Sequence, residues 1–151
     1  MDQKLMQIVK EINQLEYETN LLLSEEFDSL LDDHLTAKQA GFLDLIHERG
    51  ALQTYELSKL MGTSASAVSQ LVNRLEQDGY IKRTINQNDR REILVELDER
   101  SHAYFRKQEE IELKIIQKYY SKLEMDELIQ LKEIFLKLKR IVSNEQNGQK
   151  I

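Results

Sequence analysis

The sequence predicts a mostly α-helical fold carrying one small two-stranded β-wing: a winged helix-turn-helix between N- and C-terminal helical arms. Three observations predict it. The chain has no proline and only five glycines in 151 residues, and its many Leu, Glu, Lys and Gln residues favour helix. The apolar spacing changes at Asp78-Gly79: Val68, Leu71, Val72 and Leu75 recur at helical intervals before it, and residues alternate in twos after it. Each end of the chain carries a seam of apolar residues three and four apart.

Along the chain, Leu5, Ile8, Ile12, Leu15, Thr19 and Leu22 form the first seam, on one long helix. Thr36-Ala-Lys-Gln39 is a capping-box pattern opening a second helix through His47, which Gly50 ends. A shorter helix follows over about Thr54 to Met61, with Leu57 and Leu60 inward and Thr54 a better N-cap than Gln53. Met61-Gly62-Thr63-Ser64 makes the turn, and Ser64 caps the next helix. Tyr80 to Ile85 and Glu92 to Leu97 read as strands, with Ile81, Ile93, Val95 and Leu97 inward. Between them lies Asn-Gln-Asn-Asp-Arg-Arg, a turn ending in Arg90 and Arg91. A helix from about Glu99 to Leu123 carries Phe105, Ile115, Ile116 and Tyr119, and the last seam is Leu128, Leu131, Phe135, Leu138 and Val142. The tail from Ser143 reads as polar and frayed.

This length suits one domain over residues 1–151, with the winged part at 36–97 and dimerisation helices at 1–33 and 99–145. The absence of cysteine excludes disulfides, thiolate metal sites and thiol redox sensing. No apolar run approaches about 20 residues and no signal-peptide pattern opens the chain, so a soluble, cytoplasmic protein without membrane partners is expected. Net charge is −6, but it is unevenly spread: two lysines face nine carboxylates in residues 1–33, whereas six basic residues face four acidic ones in residues 52–91. Screening limits charge effects to about 10 Å at 0.1 M salt, so the local balance governs contact with a phosphate.

The helix beginning after Ser64 turns Ser66, Ser69, Gln70, Asn73, Arg74 and Gln77 away from its apolar face. These side chains are short or hydrogen-bonding, as a helix lying in a major groove requires. Arg90 and Arg91 at the hairpin tip can reach phosphates or a narrow minor groove, and Lys59, Lys82 and Arg74 add basic groups. Double-stranded DNA is the partner this pattern suits. The alternative is a helical dimer that uses the winged fold only as a protein-binding surface.

Other chemistries find little footing. His34, His47 and His102 lack metal-ligand spacing, so no metal site is expected. Glu25-Glu26 and Asp32-Asp33 are adjacent pairs that diverge on a helix, as solvated charges do. Gly62-Thr63-Ser64-Ala65-Ser66 lacks the second glycine of a nucleophile elbow. Neither a cofactor nor enzymatic activity is expected.

With these residues in place, the chain resembles the MarR family of bacterial transcription regulators over approximately Leu5 to Val142. The most specific stretch is LVNRLEQDGYIKRTINQNDRREILVELD, where Asp89-Arg90-Arg91 is similar to that family's Asp-x-Arg wing signature. The resemblance implies that Arg91 enters the minor groove with Asp89 orienting it, that Ser64, Ser66, Ser69 and Gln70 face the major groove, and that Arg74 lies near phosphate. It further implies an obligate homodimer that represses genes and releases its operator when a small-molecule effector binds, in a pocket near Phe27, His34, Phe42, His47 and Tyr104. Those five residues serve equally well as core and hinge packing. Peroxide sensing through an N-terminal cysteine is excluded, and Ala40-Gly41 stands where the zinc-sensing branch places Glu-His.

Overall fold

The computed structural model describes residues 2–27, 30 and 35–148. Helix α1 (Gln3–Phe27) is followed by α2 (Ala37–Arg49), a short strand β1 (Leu52–Gln53), α3 (Thr54–Met61), α4 (Ala65–Gln77), the hairpin strands β2 (Ile81–Ile85) and β3 (Ile93–Leu97), and α5 (Glu99–Lys118). A single 3-10 turn over Tyr120–Lys122 precedes α6 (Met125–Gly148). Contacts divide the chain into two compact units, Met1–Ile111 and Glu112–Ile151.

In the first unit the core is built from one face of each short element. Phe42, Leu43 and Ile46 of α2, Leu57 of α3, Val68, Val72 and Leu75 of α4, and Tyr80, Ile81 and Val95 of the hairpin are buried together. Thr36 opens α2 with a complete capping box: its Oγ1 accepts from Gln39 N at 3.2 Å, and Gln39 Oε1 accepts from Thr36 N at 2.9 Å. Removing that hydroxyl exposes a helix-end N–H without its partner. Thr36→Ala is therefore expected to lower unfolding free energy by about 1 kcal/mol, read as a lower denaturant midpoint at an unchanged slope.

The sheet has three antiparallel strands in the order β1-β3-β2, one more than the sequence predicted. Its extra member pairs Leu52 with Val95 and Gln53 with Leu94, and two residues are too few to show a period. At the start of α3, Gln53 takes the N-cap position in place of Thr54, because Glu56 Oε2 accepts from Gln53 N at 2.9 Å. Leu57 is buried as expected, but Leu60 is 41% exposed. Ile93 is also exposed, not inward: it pairs with Ile85 near the far end of the hairpin, beyond the buried Ile81 and Val95.

The root of the wing is tied to the start of α5. Tyr80 O accepts from both Asp98 N at 2.8 Å and the buried Ser101 Oγ at 2.6 Å. Arg100 lies over the Tyr80 ring at 4.4 Å and donates to Asp78 O at 3.1 Å. α5 ends at Lys118, five residues short of the expected Leu123. At the other end, α6 continues through the polar tail to Gly148, because Asn, Glu and Gln can extend a helix already under way.

Most of the large apolar residues of both terminal helices are exposed. On α1 they include Leu5, Ile8, Ile12, Leu15 and Leu22; on α6, Leu131, Phe135, Leu138 and Val142. Among the described residues, no helix is long and apolar enough to cross a membrane.

Candidate nucleic-acid interface

The helix-turn-helix is set by backbone chemistry at two glycines. Gly62 adopts a left-handed conformation (φ 60°, ψ 34°), letting its N–H and that of Thr63 return to Lys59 O and Ser58 O at 3.3 and 3.1 Å. Ser64 Oγ then accepts from Ala67 N at 3.2 Å, so the serine assigned to the groove also starts α4. At the other end, Gly79 (φ 79°) reverses the chain and Tyr80 N reaches back to Leu75 O at 2.9 Å. The wing thus leaves α4 at a fixed angle.

With Val68, Val72 and Leu75 buried, α4 leaves Ser66, Ser69, Gln70, Asn73, Arg74 and Gln77 exposed. The predicted readers Ser66, Ser69, Gln70 and Asn73 share this surface. Three of the helix's polar side chains are already engaged within the protein. Arg74 Nε donates to Asp78 Oδ2 at 2.9 Å, and Asn73 Oδ1 accepts from Arg83 Nη2 at 2.6 Å. Arg83 also donates its backbone N–H to Glu76 Oε1 at 3.3 Å, and its Nη1 pairs with Glu76 Oε2. Lys82, on the other face of β2, is paired with Glu96 at 3.2 Å.

Arg83 is the residue that sequence reasoning missed. Strict alternation from Ile81 puts it on the face that meets α4, and Glu76 lies one turn after Asn73 on that helix. Those two signals together could have found it.

At the tip, Asn86 N donates to Glu92 O at 2.9 Å, and Glu92 N to Asp89 O at 3.0 Å. Asn86 Nδ2 adds a 2.7 Å bond to Glu92 Oε2. Asp89 holds Arg91 through three donors: backbone N at 3.0 Å, Nε at 3.1 Å and Nη2 at 3.2 Å. The Arg91 side chain is nevertheless 91% exposed, and Arg90 is exposed beside it. Hydrogen bonds from the Arg91 side chain, then from its backbone, hold the Asp89 carboxyl below the ordinary carboxylate range. Because the pKa is lowered, the pair persists across neutral pH and is lost only as pH falls through that depressed value.

The residues assigned to an effector pocket are scattered in role. Phe42 is fully buried core, Phe27 and Tyr104 are buried, and His34 lies outside the described residues. His47 stacks on Phe105 with ring centroids 4.0 Å apart, and Tyr104 meets Phe105 edge-on at 5.3 Å. None of the four described residues lines the hollow bounded by Gly79, Asp98, Arg100, His102 and Arg106, or the one bounded by Tyr120, Leu131, Phe135 and Lys139. Beside the stack, desolvation raises the Asp44 pKa; Glu48 adds to the rise and His47 opposes it. A raised acid pKa means that ionising Asp44 costs folded-state stability as pH climbs through that window. Asp44→Asn is therefore expected to raise the melting temperature slightly at pH 7 and to leave it unchanged at pH 3, as thermal melts at both values will show.

A helix-turn-helix flanked by a hairpin whose tip projects arginines defines a winged helix-turn-helix protein. Residues 35–93 match the MarR family. The Escherichia coli (strain K12) protein named transcriptional repressor MprA is 31% identical over 102 residues, covering 67% of this chain and 58% of MprA. YusO of Bacillus subtilis superposes with a TM-score of 0.67 at 26% identity, over 93% of this chain and 98% of YusO. FabT of Streptococcus pneumoniae, solved in complex with DNA, does so with a TM-score of 0.69 at 20% identity, over 90% and 98% of the two chains. The winged part of the chain, residues 35–93, belongs to the MarR family. Its alignments with three of the curated relatives span 34% to 58% of those proteins' lengths.

Proposed function

We propose that the protein is a DNA-binding regulator of transcription, a homodimeric repressor that places its two α4 helices in successive major grooves of a pseudo-palindromic operator. One observation carries the reading: the exposed polar face of α4 lies beside a hairpin whose tip projects a guanidinium steered, but not buried, by Asp89. Ser64, Ser66, Ser69, Gln70 and Asn73 would contact base edges. Arg90 and Lys59 would meet phosphates, and Arg91 the minor groove. Arg74 and Lys82 would do so only by exchanging the carboxylates they now hold. The likeness to MprA, a transcriptional repressor, supports repression, and FabT shows this fold in complex with DNA in that protein.

Dimerisation is supported by the exposed apolar residues of α1 and α6, a quantity of surface that single soluble domains rarely leave to water. Two-fold symmetry then sets the half-sites about one helical turn apart, roughly 34–36 Å between centres. Release by a small-molecule effector belongs to this reading through the family resemblance. It is tested by a thermal-shift screen with aromatic acids, phenols and fatty acyl compounds, in which no stabilisation would remove the sensor role.

Selection of bound fragments from genomic DNA by the purified protein, at stated salt, tests the function itself. A shared inverted repeat among the recovered fragments is expected; recovery indistinguishable from the input would leave the winged fold as a protein-binding surface.

A further inference from the structure

Asn73 stands on the exposed face of α4, yet its side-chain oxygen is already used. Arg83 Nη2 donates to Asn73 Oδ1 at 2.6 Å, while Nη1 of the same guanidinium pairs with Glu76 Oε2 one turn further along the helix. Glu76 neutralises Arg83 locally, and the hydrogen bond from β2 fixes which way the Asn73 amide faces. An asparagine amide normally offers a base both an acceptor and a donor, and adenine recognition uses both, against N6–H and N7. With one of its two lone pairs given to a guanidinium, the oxygen is a poorer acceptor for a base, and the polarised amide leaves its Nδ2 hydrogens as the stronger contact.

We infer that Arg83 is a positioning residue that biases Asn73 toward donating, suited best to the base edge that presents two acceptors together, guanine through N7 and O6. The inference rests on the DNA-binding reading and adds a base preference to it. The same arrangement joins the wing strand to the reading helix, so the angle between them and the chemistry of Asn73 are set by one side chain. Adenine at the step facing Asn73 could still take an Nδ2 hydrogen at N7, but its N6–H would meet an oxygen already engaged by Arg83.

The test compares base preferences obtained by selection from a randomised duplex library for the wild-type protein, Arg83→Met and Asn73→Ala. Methionine keeps an unbranched stem beside Val95, its partner across the strands, and removes every donor. Asn73→Ala changes an exposed helical position and identifies the base step that Asn73 controls. The wild type is expected to favour guanine over adenine at that step by about fivefold, the worth of one net hydrogen bond. Arg83→Met is expected to shift the same step toward adenine, and Asn73→Ala to flatten it while leaving the other positions alone.

A merely structural role for Arg83 would lower affinity for all sequences alike and leave the base profile unchanged, which overturns the inference. Adenine preferred by the wild type at the Asn73 step overturns it too, as does an Asn73→Ala profile identical to wild type. If Arg83→Met fails to fold, judged by circular dichroism, the wild-type and Asn73→Ala profiles decide the matter by themselves. A wild-type protein that selects no sequence at all removes the DNA-binding reading as well, whereas the preceding outcomes remove the donor bias of Asn73 alone.

Discussion

Leu138→Glu is expected to convert the protein to a monomer and to weaken binding to a two-half-site operator by about a hundredfold to ten-thousandfold. Leu138 belongs to the exposed stripe of α6 and is 53% exposed, so a carboxylate there costs the single chain little. In a two-fold interface the substitution occurs twice. Each copy forfeits the burial of a leucine, worth about 1.5–3 kcal/mol, and asks a charge to leave water. Once the subunits separate, the second half-site is no longer bound as an intramolecular event. Sedimentation velocity at micromolar concentration reads the first effect, and a binding titration the second. A wild-type protein that is itself monomeric at that concentration would remove the dimer from the account.

The second large effect is at the wing. Arg91→Ala is expected to weaken operator binding by about 10- to 100-fold, corresponding to roughly 1–3 kcal/mol, and to flatten the dependence of log affinity on log salt by about one unit. Stability should barely change, because the side chain is 91% exposed and its bonds are to its neighbour Asp89 alone. Asp89 occupies Nε and one edge of the guanidinium, leaving Nη1 and the outer hydrogen of Nη2 for DNA. Unaltered binding by a folded Arg91→Ala protein would show that the wing does not touch the duplex.

Much of this was legible in the sequence because the signals were local. The i, i+3, i+4, i+7 spacing of Val68, Leu71, Val72 and Leu75 fixed which side of α4 faces the core. Thr36 with Gln39, Ser64, Gly62 and Gly79 marked the ends of elements through their own backbone chemistry. What escaped depended on partners distant in sequence. Strand β1 exists because Val95 and Leu94 lie alongside it. Ile93 alternates correctly, but its position at the far end of the hairpin takes it past the core. Leu60 turns outward because Met61, four residues after the buried Leu57, takes the place against the core. The pairing of Arg83 with Asn73 and Glu76 spans strand and helix, so it shows only when the alternation of β2 and the helical spacing of α4 are read together. The effector residues could be grouped only by resemblance, and the structure gives Phe42 to the core and His47 to a ring stack on Phe105.

The central claim is that α4 and the wing together hold duplex DNA, and the measurement closest to it is an equilibrium titration of a selected operator fragment across a series of salt concentrations, with the protected bases mapped at each. Affinity is expected to fall steeply and linearly with log salt, with protection over two half-sites one helical turn apart. Binding that ignores salt, or protection confined to a single half-site at saturating protein, would contradict it.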